Sequence, residues 1–569
     1  MALALAFALP ALVAGRASAQ ESRADQAIVA WKRVRAMVDA WEAPLRAESS
    51  TPGADAVAVV LRYEGRVVGR GVAVSAGGRD DALSRATSQA LDRVESSLRI
   101  VPDATWPERS CELSARLMVS LELAGNAAPC PPEKLESPWL GAPPATRAVI
   151  VRARGQSEAM FPEAMINSGL DASSAARGLA SRVVGASGAL RPLPEITRTY
   201  ALDVLLAPVT HVAQLEPAGP PVFLHRAARP IAPGSTDARA IAELRTTCAD
   251  ALARMLAAPR DTPGSAIGAS TWFERGLASL AIAWHAVNLP EGNQRDAAIA
   301  LIAAQVEAAS QQPDAVAKEA PATAAVWSAL LRMPLGIEAV ALRSACDGAL
   351  DDARRPGVTI PDIQLGYVAW ALCVRAGAGD LTPEDAEPVL RSVYESTPPG
   401  LLVTHWPWLV WGENELAHAR GDGAIPALPA IRAARDAVWK SQLSPGEATL
   451  DERDLLGAFV FTAGGERLPD WQTLRPLAAM VDMLADDRFT PSADRPMELV
   501  RILDALRFVR QLQITPDAMW ASGDAGAFPG ALRGSPWTSA PRVPPTAYAL
   551  ITAVELERSL AEMSARSKP

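Results

Sequence analysis

Cysteine and histidine are scarce in this chain, with five of each in 569 residues. No Cys-x-x-Cys occurs, so zinc-ribbon and thioredoxin-like chemistries are excluded. The histidines (His211, His225, His285, His405, His418) never stand three or four residues apart, so no helix face carries a metal-binding pair. Gly-x-Ser-x-Gly is absent, and with it the nucleophile elbow. Dinucleotide and Walker-type glycine loops are absent too; the nearest glycine cluster, Gly69-Arg70-Gly71, falls in a strand-like run. No basic block is present. The net charge is −9, and Lys and Arg are interspersed with Asp and Glu, which argues against a nucleic-acid surface. Past the first twenty residues no apolar run is long enough to span a bilayer.

What is present is an ordinary globular composition, 49% apolar and 21% charged, over a length that suits two or three domains. Residues 1–19 read as a signal peptide, with the apolar run Ala2 to Ala14 and a small-residue cleavage site at Ala17-Ser18-Ala19. The basic n-region is missing. Export to the periplasm or medium is the expectation. Cys111 with Cys130, and Cys346 with Cys373, are candidate disulfide pairs, leaving Cys248; small buried core residues are the alternative for all five.

An N-terminal helix is expected within residues 20–54, with Ile28, Trp31, Val34, Met37 and Trp41 on one side. A small α+β domain follows over 55–186. Its strand from Ala56 to Tyr63, a turn at Glu64-Gly65 and a second strand to Val74 make a hairpin. A helix from Asp80 to Leu98, strands over Glu112–Leu123 and Ala148–Arg152, Phe161-Pro162 and a helix over Asp171–Val184 complete it. This order resembles the AMMECR1-like domain, through Leu61-Arg-Tyr-Glu-Gly-Arg-Val-Val-Gly-Arg-Gly71, Leu117-Met-Val-Ser-Leu-Glu-Leu123, Val151–Pro162 and Gly169–Leu179. The cysteine of that family's glycine-rich turn is replaced here by Arg70. The resemblance implies a fold and no activity.

Residues 187–236 read as a β-rich connector. From Asp237 onward about a dozen apolar-periodic segments alternate with turns carrying Gly, Pro and Asp. They make a helical domain over 237–569, as hairpins closed into an α/α toroid or stacked in an open α-solenoid. Arg507-Phe-Val-Arg-Gln-Leu-Gln513 with Trp520, and Ser535-Pro-Trp537 before an apolar helix, are similar to features of the terpenoid-cyclase and protein-prenyltransferase toroid superfamily. The resemblance implies that Gln511 or Gln513 caps a helix end and that Trp520 stacks beneath it. The family's Asp-x-Asp-Asp acid motif is absent; Asp351-Asp352 and Asp486-Asp487 are the nearest strings. Its Asp-x-Cys zinc pair is absent too, and no cofactor or metal is expected.

The segment His405-Trp406-Pro407-Trp408-Leu-Val-Trp411-Gly412-Glu413-Asn414-Glu415 is the main candidate site. Trp408 and Trp411, with His405, would hold a sugar by ring stacking and hydrogen bonds. Glu413 or Glu415, desolvated by indole, would act as a general acid. The alternative is that these tryptophans fill core and the glutamates are solvated or cap helices. Trp272, Glu274 and Arg275, with Trp284 and His285 further along, form a second and weaker candidate. The leading functional reading is a non-catalytic module binding a protein or a glycan. A polysaccharide-active hydrolase or lyase is the rival, and an isoprenoid cyclase the third.

Overall fold

The computed structural model describes residues 23–43, 54–76, 81–100, 105–136, 144–185, 191–258, 269–355, 357–461, 468–515 and 528–566. The leader expected over 1–19 and Trp520 lie outside the described residues. The chain is multidomain, an α+β part followed by a helical part.

Helix α1 (23–40) lays Ala27, Trp31, Val34 and Val38 onto the first core. Strands β1 (Ala54–Tyr63) and β2 (Arg66–Val74) turn back through Glu64 and Gly65, both at positive φ. Helix α2 (Ala82–Ser97) lies flat on that hairpin because Gly69 and Gly71 allow it. A Cβ on Gly71 would sit 1.8 Å from the Ala86 carbonyl oxygen, and one on Gly69 2.3 Å from that of Ala90. The Gly-Arg-Gly cluster is therefore a helix-packing device.

Helix α3 (Trp106–Arg116), strand β3 (Met118–Gly125), the short β4 (Ala128–Pro129) and α4 (Pro132–Glu136) come next. Strands β5 (Arg147–Ala153) and β6 (Gln156–Met160) and helices α5 (Pro162–Ser168), α6 (Ala172–Val184) and α7 (Leu193–Tyr200) follow. Strands β7 (Asp203–Gln214) and β8 (Pro221–Leu224) end the unit. The sheet is antiparallel with strand order β2-β1-β3-β7-β5-β6, and β4 and β8 also pair with β7. Its ends β2 and β6 approach one another, so the sheet curls. One face packs Val57, Val59, Leu61, Val119 and Leu121 under α1 and α2. The other holds small residues, Ala56, Ala58, Ala124, Ala148 and Ala207, around Phe161.

Two expectations are corrected here. Residues 112–116, expected as strand, belong to α3; Pro107 sits at its start, and Ser110 and Ser114 are buried four residues apart, a helical period. The segment read as a connector contributes β7, which lies between β3 and β5 inside the sheet.

The helical part contains α8 (Ala238–Ala257), α9 (Trp272–Val287), α10 (Asn293–Ser310), α11 (Pro313–Glu319), α12 (Pro321–Leu330), α13 (Val340–Ala353) and α14 (Asp362–Gly377). It continues with α15 (Pro383–Ser396), α16 (Trp408–Arg420), α17 (Leu428–Lys440), α18 (Leu474–Leu484), α19 (Arg495–Gln511) and α20 (Val543–Arg566). One of the apolar-periodic segments expected as helix, residues 452–461, forms turns and an isolated bridge to Gln442 instead. Gly457 there has φ +84°, and a Cβ on it would meet the Asp504 carbonyl oxygen at 2.0 Å.

Helices α9, α12, α14, α16, α18 and α20 pack each on the next, and α20 packs back on α9. Most of the other helices pack around this circuit: α10 on α9, α11 and α13 on α12, α15 on α14 and α16, α19 on α18, and α8 against α20 and α9. Gln513 Nε2 donates to Thr247 Oγ1 at 2.6 Å, joining the end of α19 to α8. Gln511 grips the incoming chain instead, accepting from Ile231 N at 2.9 Å and donating to Arg229 O at 3.1 Å. The two parts of the protein are also joined by charge: Arg226 donates to Asp454 in the helical part, to Asp451 O at 2.9 Å, and to Pro144 O at 2.9 Å.

Candidate functional site

The candidate residues of α16 divide between two sides of the helix. Trp408 and Trp411 turn into the circuit and are 0% and 5% exposed. Trp408 stacks on Tyr367 and Trp370 of α14 at centroid distances of 4.5 and 4.7 Å. It also meets Tyr548 of α20, two places around the circuit, at 5.8 Å and donates Nε1 to that hydroxyl at 3.0 Å. Trp411 touches Trp284 of α9 at 4.9 Å, although α9 and α16 stand on opposite sides of the circuit. Phe273 of α9 meets Tyr367 at 5.5 Å. Aromatic rings thus bridge helices that are not neighbours, and along these contacts the middle of the circuit is packed with side chains.

Glu413 faces away from this stack. It is 1% exposed, and both its oxygens meet Arg391 of the outer helix α15, at 2.8 and 2.9 Å. The arrangement is a two-pronged buried ion pair between helices. Glu415 is half-buried against the end of α14, where its Oε2 would lie 3.0 Å from a Cβ on Gly377. Burial raises its pKa, and His418 partly offsets this. His405 is buried, with Nε2 3.0 Å from Thr397 Oγ1, and its Cβ is 3.1 Å from where a Cβ on Gly366 would be. Glu413 ties α16 to α15 and His405 meets Thr397 beyond the end of α15; of the five candidates, the two tryptophans are brought into one place.

The second candidate also divides. Glu274 closes a capping box with Thr271, and Arg275 Nη1 donates to Gln305 Oε1 at 2.8 Å. Burial lowers the pKa of the half-buried His285 to about 4. Trp284, in contrast, reaches the end of the circuit. The acidic strings are paired: Asp351 with Arg375 at 2.9 Å, Asp352 with Arg355 at 2.8 Å, Asp486 with Arg488 at 2.6 Å and Asp487 with Arg495 at 2.6 Å. All five cysteines are free thiols, so neither candidate disulfide forms.

A constellation not anticipated from the sequence surrounds the Trp284–Trp411 pair. Trp284 donates Nε1 to Glu555 of α20. Arg558, one turn on, places one guanidinium nitrogen 2.5 Å from Glu555 Oε2 and 2.8 Å from Asp482 Oδ1 of α18. Asn414 of α16 donates to Asp482 Oδ2 at 2.9 Å and accepts from Arg488 at 3.1 Å. Burial, then the charge of Glu555, pushes the Asp482 carboxyl up to about 7; Arg558 pulls the other way. The Arg558 side chain is 45% exposed while those of Asp482 and Glu555 are 12% and 2% exposed, so the group grades from rim to interior. Trp411 Nε1 is buried and has no hydrogen-bond partner among the described residues. Two indoles, a shared-arginine carboxyl pair and a side-chain amide therefore converge from four helices. No local signal marks it: Asp482, Glu555 and Arg558 lie in ordinary amphipathic stretches.

No protein-family model matches the chain, and no curated protein does. Among solved structures, the chain is similar to the crystal structure of an uncharacterized protein, PH0010, from Pyrococcus horikoshii. The two are 16% identical with a TM-score of 0.25, over 35% of this chain and 97% of that one.

Proposed function

We propose that this is an exported binding protein whose helical part is a closed α/α toroid. Its ligand is a glycan or similar polyhydroxylated chain, taken at one end of the ring above an aromatic plug. The observation that carries the reading is the Trp284–Trp411 pair, 4.9 Å apart, set against Asp482, Asn414, Glu555 and Arg558. Indole faces bind the apolar faces of sugar rings, while carboxylates, an amide and a guanidinium take the hydroxyls. The circuit in which α20 packs back onto α9 supports a ring over an open solenoid. An isoprenoid cyclase needs an open apolar chamber on the axis, and the contacts of Trp408 with Tyr367, Trp370 and Tyr548 fill that place. The α+β part, on this reading, is an AMMECR1-like domain attached to the ring by the Arg226–Asp454 pair.

Isothermal titration of the full chain with soluble oligosaccharides tests the proposal. Trp284→Ala should weaken binding at least about tenfold, or ~1.4 kcal/mol, whereas Glu413→Gln should leave it unchanged. Binding that ignores Trp284 would defeat the assignment.

A further inference from the structure

The ring-end group has more than a binding site requires. Two carboxyls meet at one nitrogen of Arg558, at 2.8 and 2.5 Å, so their nearer oxygens cannot be farther apart than the roughly 5.5 Å separating the carboxyls of retaining glycosidases. Their surroundings differ. Glu555 accepts from Trp284 Nε1 and pairs with the Arg558 guanidinium at 2.5 Å. Asp482 is shared between Asn414 and Arg558, and its carboxyl is pushed up to about 7. One acid able to give a proton and one carboxylate able to attack is the division of labour that glycoside cleavage uses. A second feature is independent of the acids. Among the described residues, Trp411 Nε1 is a buried donor without a partner, on an indole packed against the one that binds Glu555. An unmet buried donor is costly, and a ligand oxygen would satisfy it.

We infer that Asp482 and Glu555 form a hydrolytic centre that cleaves glycosidic bonds with retention of configuration, in the glycan bound at the ring end. This rests on the glycan-binding reading above and adds chemistry to it. Asp482 gives its proton to the glycosidic oxygen as the bond from that oxygen to the anomeric carbon breaks, and the sugar on that side leaves as an alcohol. Glu555 forms an ester with the anomeric carbon. Water then attacks that carbon, Asp482 takes the water's proton, and the Glu555 ester bond breaks to return the carboxylate. Arg558 keeps the two carboxyls apart and changes no bond. Trp284 is a positioning residue that orients Glu555.

The test uses the full chain with a panel of soluble polysaccharides (xylan, mixed-linkage glucan, galactomannan, pectin and chitosan), reading new reducing ends. Asp482→Asn and Glu555→Gln should each cut release at least a thousandfold while the same substrate still binds by titration calorimetry. The anomeric signal of the first product in proton NMR should show retention. With unaltered protein, mass spectrometry after a 2-deoxy-2-fluoro glycosyl fluoride of the cleaved sugar should show one adduct, on Glu555. That measurement needs no variant to fold. Binding without cleavage of any substrate, or cleavage with inversion, or cleavage surviving in Glu555→Gln, would overturn the inference and leave the binding reading standing. Absence of both binding and cleavage would remove the two together.

Discussion

Tyr367 and Tyr548 share a hydrogen bond of 2.9 Å between their hydroxyls, reaching from α14 to α20 across the helical circuit. The Tyr548 hydroxyl also accepts Trp408 Nε1 at 3.0 Å, so one oxygen ties three inner helices together. Both contacts are buried, where an unsatisfied donor costs about 1–3 kcal/mol. Tyr548→Phe strands the indole N–H and the Tyr367 hydroxyl at once, and should destabilise the helical part by about 2–3 kcal/mol. Tyr367→Phe leaves the Trp408 bond intact and should cost about half as much. Urea unfolding followed by tryptophan fluorescence would rank the two; equal losses would show that the hydroxyl pair, and not the indole, carries the effect.

Glycine at position 71 is required by the approach of α2 rather than by backbone conformation. Gly71→Ala would force a methyl group to within 1.8 Å of the Ala86 carbonyl oxygen, which belongs to a helix and has no rotamer by which to give way. The expected loss is at least about 3 kcal/mol, the upper range for overpacking. Gly348 on α13 is an internal comparison: it is exposed, and its added methyl meets nothing within 4 Å. Gly348→Ala should stabilise by about 0.5–1 kcal/mol. Opposite signs from one substitution, read by thermal and urea unfolding, would separate packing from propensity.

Much of the architecture was legible because its signals are local. The hairpin β1–β2 announced itself by alternation and Glu64-Gly65, and the helices by their apolar period. The place of β7 was not legible, because its pairing with both β3 and β5 is long-range and its flanking prolines read as a connector. At the candidate site the types of residue were readable and their directions were not. Helix α16 is buried on several sides, with Trp408, Leu409, Val410, Trp411, Gly412 and Glu413 all enclosed, so apolar spacing does not say which face meets the axis. Trp411 found Trp284; Glu413 found Arg391 on the outer layer. Asp482 and Glu555 sit on separate helices, and their meeting depends on the packing of α20 against α18.

Glu413 is therefore expected to matter to stability and not to ligand. Glu413→Ala leaves Arg391 without its buried partner, and such breaks cost about 3–5 kcal/mol. Because the Arg391 side chain is 23% exposed and water reaches it, the lower end of that range is expected. Denaturant unfolding checks the first half of the statement and oligosaccharide titration of the folded variant the second.

The link between the two parts should behave as a cooperative buried pair. Arg226 and Asp454 side chains are each 1% exposed, and His225 Nε2 stands 3.4 Å from the same carboxylate. Asp454→Asn leaves the guanidinium uncompensated, at about 3–5 kcal/mol. Limited proteolysis should then cut between β8 and α8, a segment held in the native protein by Arg226, Arg507 and Gln511. Unchanged resistance would mean that apolar contacts alone dock the two parts.

The curled sheet should make stability depend on pH in two opposed windows. Ser120, Glu122, Glu163 and His211 meet between β3, β7 and α5, with Ser120 Oγ 2.7 Å from His211 Nε2 and Glu163 N donating to Glu122 at 3.1 Å. Arg70, from β2, meets Glu163 at 3.2 Å. Burial, reinforced by the charge of Glu163, pushes Glu122 up to about 8 from an ordinary 4.5. Between those values the native state keeps a proton that the unfolded chain releases, so this contribution is lost as pH rises. Burial pushes His211 down to about 4 from 6.5, so in that lower window the unfolded chain takes up a proton that the native state refuses, and stability is lost as pH falls. The two slopes oppose each other between about 4.5 and 6.5, and above 6.5 that of Glu122 remains, at most about 1.4 kcal/mol per pH unit. Urea unfolding of the α+β part at pH 6.5 and 8 should show this decline. Glu122→Gln should flatten it; a decline that persists in that variant would place the titrating group elsewhere, with Asp482, pushed up to about 7, as the next to replace.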